Sequence, residues 1–152
     1  MVTTIGDYAF VLCTSLTAIY LGNSVTTIGS EPFRNCTSLT SITVHANNNS
    51  FSDINGVLFN KNQSTLIQYP MNNTATSYTI PHSVTTIGQN AFYNCTSLTS
   101  IDLSGTQVET IGEYAFYGCS NLETIINIPN SLTTIGEYAF AGCSKLDSLD
   151  LS

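Results

Sequence analysis

The sequence predicts a repeat solenoid, a β-rich, right-handed coil with parallel strand ladders and short helical or 3₁₀ turns. Three observations lead to this fold class. A phrase beginning Ile-Gly, with Phe, Cys and Leu at fixed later positions, occurs five times, from Ile5, Ile28, Ile87, Ile111 and Ile135. Copies that follow one another directly start 23 or 24 residues apart, a period at which one coil buries its apolar face only against the next coil. The polar residues are mostly uncharged, with 22 Thr, 18 Ser and 15 Asn, which suit strands and tight corners.

The coil that starts at Ile111 shows how the phrase builds one turn of the solenoid. Ile111 points inward, and Gly112 allows a tight corner where a side chain would obstruct the chain. The Phe of the phrase fills the widest part of the coil. Because this position recurs in every copy, we expect a column of stacked rings in the core, formed by Phe10, Phe33, Phe92, Phe116 and Phe140.

The rest of each coil is predicted to hold a short turn and two strands. Cys119 and Leu122 follow the Phe at steps of three residues, the spacing of a 3₁₀ or helical turn. Leu122 leads through Ile125 into an extended segment with β-branched residues. Residues 131–134 form a second extended piece that ends at the next Ile-Gly. Stacking the coils therefore places equivalent strands in parallel ladders.

Residues 45–80 interrupt the rhythm within a single predicted solenoid domain that spans residues 1–152. Residues 57–59 resemble the Ala-Phe part of the phrase and residues 66–69 its Leu-x-x-Ile part, but the Cys position is empty. We expect irregular repeats here, an insertion of two to three coils with protruding loops. Such loops often carry binding function, and a neutral insertion is the alternative.

Composition and charge exclude several classes of partner. The formal net charge is −7, and the only basic residues are Arg34, Lys61 and Lys145. Three scattered cations cannot supply the basic surface that nucleic acid or anionic lipid requires. No apolar run approaches the roughly 20 residues of a membrane helix, so membrane insertion is not expected.

The first residues have neither the basic region nor the apolar region of a signal peptide, and they already belong to a repeat. We therefore expect a fragment of a longer chain whose signal lies upstream. The other interpretation is a chain that stays inside the cell.

The cysteines all occupy one position of the phrase, three residues after Phe and three before Leu: Cys13, Cys36, Cys95, Cys119 and Cys143. Coils about 5 Å apart would permit disulfides between neighbours. An odd number of cysteines and a stacked apolar position favour reduced, buried thiols instead. The sequence has no CxxC pair, which argues against a zinc site.

Signatures of catalysis are missing from the sequence. Each Ile-Gly is a lone corner glycine, no GxSxG occurs, and His82 with Ser83 lies in the corner where another coil has Asn23. Glu113 and Glu137 are equivalent in neighbouring coils and could hold a cation between them, although a solvated acidic edge is the simpler interpretation. The prediction is a protein that is not an enzyme and has no cofactor and no metal site. A hydrolytic protein, or one that depends on a divalent cation, is a further hypothesis.

The repeated IGxxAFxxCxxLxxIxL phrase resembles the BspA-like leucine-rich repeat family. The segment GVLFNKNQSTLIQYP resembles the divergent repeat of the same family, while Pro32 departs from the pattern at the Ala position. The resemblance implies a surface protein that adheres to host matrix, host cells or other microbes. It therefore implies a cell-surface or secreted location and a protein or glycan partner, and it offers no catalytic residue to transfer.

The two ends of the solenoid are predicted to expose unpaired strand edges. The chain begins within a coil at residues 2–5 and stops at residues 149–152, without a charged cap at either end. Because unpaired edges invite pairing, we expect self-association through the coil ends, as a two-fold dimer or head-to-tail. The alternative is that flanking repeats of a longer parent do the capping.

Two functions are carried forward from the sequence. The first is a non-enzymatic surface adhesion or protein-binding module that uses the sheet face and loops. The second is a structural or scaffold unit that self-assembles through its coil ends. Geometry alone suggests the contact residues as outward positions of the main strand ladder: Tyr20, Thr43, Gln68, Thr79, Asp102, Asn127 and Asp150.

Overall fold

The computed structural model describes residues 1–152 as a β-solenoid of about six turns. Thirteen short strands alternate between two sides of the coil, and most of them pair in parallel. The predicted repeat solenoid with parallel strand ladders is confirmed. Strands two to four residues long suffice because each pairs with its counterpart in the next coil.

The main ladder carries the longer strand of each coil. Within it, β2 pairs with β4, and β10 lies between β8 and β12. Its inward residues, such as Ile42 and Ile101, are fully buried. The bounds of these strands are Ala18–Leu21 (β2), Ser41–Val44 (β4), Ser77–Thr79 (β8), Ser100–Asp102 (β10) and Thr124–Ile126 (β12).

The second ladder is formed mainly by the Thr-Ile pairs that precede the corner glycines. Here β1 pairs with β3, and β7, β9, β11 and β13 follow one another in parallel. The strands are Thr4–Ile5 (β1), Thr27–Ile28 (β3), Thr65–Gln68 (β7), Thr86–Ile87 (β9), Thr110–Ile111 (β11) and Thr134–Ile135 (β13).

An antiparallel hairpin interrupts both ladders. It consists of β5 (Phe51–Ile54) and β6 (Val57–Asn60), and β6 continues antiparallel to β7. The Gly56 carbonyl at its turn accepts a 2.8 Å hydrogen bond from the Ile42 N–H, so the turn occupies the edge of β4 where another ladder strand would pair. The hairpin thus separates a core cluster around residues 5–58 from a larger one around residues 57–143.

Two of the matches predicted for residues 57–69 are wrong. Leu66 pairs with Ile87 in the second ladder, so it takes the Ile position of Ile-Gly rather than a place in Leu-x-x-Ile. Tyr69, not Phe59, continues the ring column, with its centroid 5.0 Å from that of Phe92. The cause is the hairpin, which absorbs residues 51–60 outside the coil pattern.

The predicted ring column is present in two segments. Phe10 stacks on Phe33 with centroids 5.8 Å apart, and Phe116 stacks between Phe92 and Phe140 at 4.8 and 5.3 Å. The break between the two segments falls at the hairpin. Aromatic stacking therefore repeats with the coil spacing along each half of the core.

The three-residue steps of the phrase form separate turns, and no helix is present. The Cys119 N–H bonds to the Phe116 carbonyl at 3.1 Å, and the Leu122 N–H to the Cys119 carbonyl at 3.0 Å. Tyr114 and Gly118 have left-handed backbone, with φ of 54° and 70°. Each is the third residue of a turn, in residues 112–115 and 116–119, and its left-handed backbone prevents successive turns from joining into a 3₁₀ or α-helix.

Candidate partner-binding surfaces

The outward side chains of the main ladder begin with Tyr20 and Thr43, which lie opposite each other on β2 and β4. Tyr20 is 65% exposed, and the nearest aromatic group is the imidazole of His45, in an edge contact with centroids 6.3 Å apart. Because the neighbouring Ile19 and Leu21 turn towards the core, the period of two along the strand holds Tyr20 on the outer surface.

The same row continues beyond the hairpin with Thr79, Asp102 and Ile126, which are in register on β8, β10 and β12. Ile126 is 46% exposed. We call the outward side chains of Tyr20, Thr43, Thr79, Asp102 and Ile126 the strand face. The hairpin divides it into two patches, because β4 and β8 do not pair.

The sequence predicted Asn127 as an outward position of the main ladder. In the structure Ile126, not Asn127, pairs with Asp102. Asn127 is an extra residue with left-handed backbone, φ 57°, inserted before Ile128 packs against the core. Its amide still donates a 2.9 Å hydrogen bond to Oδ1 of Asp102. That bond, with the Ser104 N–H, lowers the pKa of Asp102.

Gln68 and Asp150 lie away from the strand face, contrary to the expectation for outward ladder positions. Gln68 belongs to β7 of the second ladder, and its amide donates a 3.0 Å hydrogen bond to the Tyr69 carbonyl. Asp150 follows the last strand and lines a groove of about 540 Å³ with Ile128 and Leu151. The shifted register after the hairpin displaced Gln68, and the last main-ladder segment, around Asp150, does not form a strand.

One corner of the solenoid carries a cluster of tyrosines that the sequence analysis missed. Tyr93 stacks on Tyr117 with ring centroids 5.2 Å apart, Tyr114 stacks on Tyr138 at 5.2 Å, and the edge of Tyr114 meets Tyr117 at 5.7 Å. We call these four residues the tyrosine corner. The available signal was the recurrence of Tyr at the variable positions on either side of Ala-Phe in neighbouring copies.

A single ion pair lies beside the tyrosine corner. The Arg34 guanidinium is 5.1 Å from the Tyr93 ring centroid, a cation–π distance. Its Nη1 donates a 2.8 Å hydrogen bond to Glu31 Oε2. The hydrogen bonds to Glu31 and Tyr93 raise the pKa of Arg34, so the corner holds a fixed ion pair next to aromatic faces.

The cysteine thiols point into the core. The Sγ atoms of Cys36, Cys119 and Cys143 each donate to a Phe carbonyl of the preceding coil, at 3.1, 3.0 and 3.1 Å. Burial raises the pKa of Cys95. Since the thiolate is the nucleophile and the metal ligand, burial disfavours both roles at Cys95.

The structure contains no group of three or more His, Cys, Asp or Glu side chains that could hold a metal ion. Glu113 and Glu137, the pair considered for a bridging cation, are both exposed. Nor does any helix have the length and apolar character to cross a membrane.

The stacked coils and the outward strand face define a leucine-rich repeat protein. A family model of the BspA type leucine rich repeat region matches residues 1–77 and 71–152, with six copies. The chain belongs to this family, as the sequence phrase predicted. No curated protein matches the sequence.

Several bacterial crystal structures share the fold. The pneumococcal vaccine antigen PcpA is 36% identical, with a TM-score of 0.84 over 93% of this chain and 34% of that one. A leucine rich cell surface protein of Faecalibacterium prausnitzii is 28% identical, with a TM-score of 0.61 over 96% of this chain and 50% of that one.

A leucine-rich repeat protein of Eubacterium ventriosum shares the fold at 23% identity and a TM-score of 0.54, over 98% of this chain and 64% of that one. This chain therefore spans between about a third and two thirds of the length of these three proteins.

Proposed function

We propose that this chain is a non-enzymatic adhesion module whose strand face binds a protein of the host matrix or of a host or microbial cell surface. The family and its surface-protein relatives support this proposal. The observation that carries it is the row of outward side chains, in which Tyr20 and Ile126 expose large apolar surface at 65% and 46%.

The chemistry of the strand face suits a protein partner. Protein interfaces are poor in charge at their centre and rich in aromatic anchors. Asp102 is the one charged side chain of this face, and Tyr20 is its aromatic anchor. Thr43 and Thr79 add short hydroxyl side chains that contribute hydrogen bonds at little entropic cost.

The strand face is also held rigid before any partner arrives. Ile42 and Ile101, on the reverse side of β4 and β10, are fully buried, and parallel pairing fixes the register of each row. A preformed surface loses little conformational entropy on binding. Affinity then depends on contacts rather than on ordering the chain.

The test uses fluorescent beads coated with the protein and placed on a decellularised host matrix. We expect the beads to adhere, and Tyr20→Ser to reduce adhesion at least about tenfold through loss of a central anchor. Thr79→Lys should act in the same direction by placing an unpaired charge in the interface.

Matched controls lie on other surfaces of the same solenoid. Tyr8→Ser removes a tyrosine of similar exposure, 54%, from a corner, and Thr133→Lys adds the same charge near the second ladder. Both should leave adhesion unchanged. Equal adhesion of Tyr20→Ser and wild type would contradict the role of the strand face.

A second candidate function, assembly through the coil ends, has its own structural support. The first coil exposes an apolar groove of about 320 Å³ lined by Met1, Val2 and Ile5. At the other end, β13 has only one strand neighbour, and Ile135 is 38% exposed. An open strand edge with apolar side chains favours pairing with another copy.

Light scattering during size-exclusion chromatography, over a concentration series, tests assembly directly. If the coil ends associate, the mass should rise with concentration, and Ile135→Lys should return it to that of a monomer. Ile126→Lys, which places the same charge on the strand face, should not. A monomer at every concentration would exclude assembly by this polypeptide.

A further inference from the structure

We infer that the cleft between Arg34 and Tyr114, at the tyrosine corner, is a binding site for a sugar ring. The inference concerns a different surface from the strand face and a small ligand rather than a protein. It rests on an unpartnered buried amide, an uncovered aromatic face and the mixture of polar groups around them.

The unpartnered amide belongs to Asn90. This side chain is only 5% exposed, yet its Nδ2 has no hydrogen-bond partner. A buried donor without a partner costs about 1–3 kcal/mol, and native proteins rarely leave one unsatisfied. Asn90 lines the corner cleft, so a ligand in this cleft is the group proposed to supply the missing acceptor.

The uncovered aromatic face belongs to Tyr114. Asn90, Tyr114 and Tyr138 are equivalent in successive coils, because the N–H of Asn90 bonds to the Glu113 carbonyl and that of Tyr114 to the Glu137 carbonyl. Tyr138 covers one face of the Tyr114 ring. In the preceding coil, Asn90 occupies the position equivalent to these tyrosines. Its side chain is too short to cover the other face of the Tyr114 ring, so that face borders the cleft.

The size of the cleft suits one six-membered ring. Its volume is about 180 Å³, and a cavity of about 150 Å³ accepts benzene. Glu31 and Asn90 also line a second cleft of about 300 Å³ between Ile28 and Ile67, where the hairpin separates β3 from β7. The two clefts share these residues, so a substituent or a second sugar unit has space beside the first.

The polar groups of the cleft favour a sugar over other ring compounds. Asn90 and Arg34 present donors, and Glu31 presents a carboxylate acceptor. A sugar ring matches this mixture because each hydroxyl both donates and accepts, while its C–H face packs on the electron-rich face of Tyr114. A proline ring could pack on the tyrosine, but it has no donor for Glu31.

The backbone at Tyr114 permits a conservative substitution for the test. Its φ of 54° is left-handed, a conformation that is unfavourable for a bulky residue and that Asn adopts more readily. Asn occupies the equivalent position 90 with φ 56°. Tyr8 and Tyr138 have the same left-handed φ at the equivalent position of their coils, so this conformation belongs to the repeat. Replacing Tyr114 by Asn should therefore relieve the strain without disturbing the coil.

The experiment titrates ¹⁵N-labelled protein with the methyl glycosides of glucose, galactose, mannose and N-acetylglucosamine. The readout is the side-chain amide signal pair of Asn90. We expect at least one glycoside to shift this pair in a saturable manner. Tyr114→Asn should weaken that glycoside at least about tenfold, equivalent to about 1.4 kcal/mol.

Two further variants make the result specific. Asn90→Asp keeps a residue that tolerates left-handed backbone but removes the donor, and it should also weaken binding, measured by the shift of the Tyr114 ring protons. Tyr8→Asn makes the same substitution in the first coil, far from the cleft. This variant should bind like wild type. Tyr20→Ser, the strand-face variant, should leave the glycoside shifts intact, which separates the two proposals.

The inference is overturned if none of the glycosides moves the Asn90 signals. It is equally overturned if Tyr114→Asn, shown to be folded by its dispersed amide spectrum, binds as tightly as wild type. A shift produced by a proline-rich peptide and by none of the glycosides would assign the cleft to a different ligand class.

Discussion

The Sγ atom of Cys119 donates a 3.0 Å hydrogen bond to the carbonyl oxygen of Phe92, one coil earlier. Cys36 and Cys143 make the same contact with Phe10 and Phe116 at 3.1 Å. The recurrence of Cys at one position of the phrase therefore has a structural explanation. The thiol is small enough for the crowded core, and it adds a hydrogen bond to a Phe carbonyl that already accepts a backbone N–H of its own coil.

Cys119→Ala should lower the free energy of unfolding by about 1–2 kcal/mol, since it removes both a buried sulfur and a hydrogen bond. Cys13→Ala is the matched control: Cys13 is only half-buried, and its thiol makes no such hydrogen bond. Urea denaturation measures both variants. Equal losses in the two would show that the hydrogen bond to the preceding coil contributes nothing.

Tyr69→Phe should stabilise the protein. The Tyr69 ring is 1% exposed in the aromatic column, and its hydroxyl has no partner. Removing an unsatisfied buried hydroxyl should raise the free energy of unfolding by about 1 kcal/mol or more at neutral pH. Tyr20→Phe, which removes an exposed hydroxyl, should change it little; chemical denaturation compares the two.

The same substitution should alter stability in alkali. Burial raises the pKa of Tyr69 from 10.0 to about 12. Below pH 10 both states keep the proton, whereas between pH 10 and 12 the unfolded chain ionises first and is favoured. The wild type should lose stability over this window, and Tyr69→Phe should lose less. Parallel curves for the two proteins would contradict the raised pKa.

Gly136→Ala should destabilise the protein by about 1–3 kcal/mol, because a Cβ atom at this corner would lie 2.7 Å from the Gly112 carbonyl carbon of the preceding coil. At Gly6, in the first coil, a Cβ atom would meet nothing within 4 Å. Gly6→Ala should therefore be nearly neutral. Thermal unfolding of both variants tests the explanation, which fails if the two melt alike.

Asn48→Ala should lower the free energy of unfolding by more than about 2 kcal/mol. The buried amide donates to the Gly22 and Val25 carbonyls at 2.8 and 2.9 Å and accepts from two N–H groups at the start of the hairpin, both at 2.8 Å. Its removal takes this partner from the Val25 carbonyl and from the Ser50 and Phe51 N–H groups, while the Gly22 carbonyl keeps the N–H of Val25.

The matched control for Asn48 is its neighbour. Asn47 is exposed, and Asn47→Ala should change stability by less than about 0.5 kcal/mol. A small effect of both substitutions in urea denaturation would mean that the hairpin does not depend on this anchor.

Most of the regular coils could be predicted from the sequence. The spacing of Ile-Gly, Phe and Cys identified both ladders and the ring column, because a residue that recurs at a fixed period must stack on its own copies. The helical turns were the minor error. Left-handed residues such as Tyr114 and Gly118 isolate each turn, and a spacing of three does not reveal the sign of φ.

Some of the predicted contact residues lie on the strand face and others do not. Tyr20, Thr43, Thr79 and Asp102 lie on the strand face because they fall within regular coils. Gln68 was assigned to the wrong ladder because the hairpin shifted its register. Asn127 is itself an extra left-handed residue that follows Ile126, which takes the ladder position. A pattern of apolar spacing does not reveal that a corner can accommodate one inserted residue.

The sequence by itself determined the family, the coil period, the identity of the core columns and the absence of a basic surface, all of which depend on local repetition and composition. Tertiary structure alone decided the division of the core by residues 51–60, the unsatisfied Asn90 and the exposed face of Tyr114. These features arise between coils that are far apart in sequence or differ from one another. They depend on which side chains of neighbouring coils pack against each other. The register across the hairpin decides that packing.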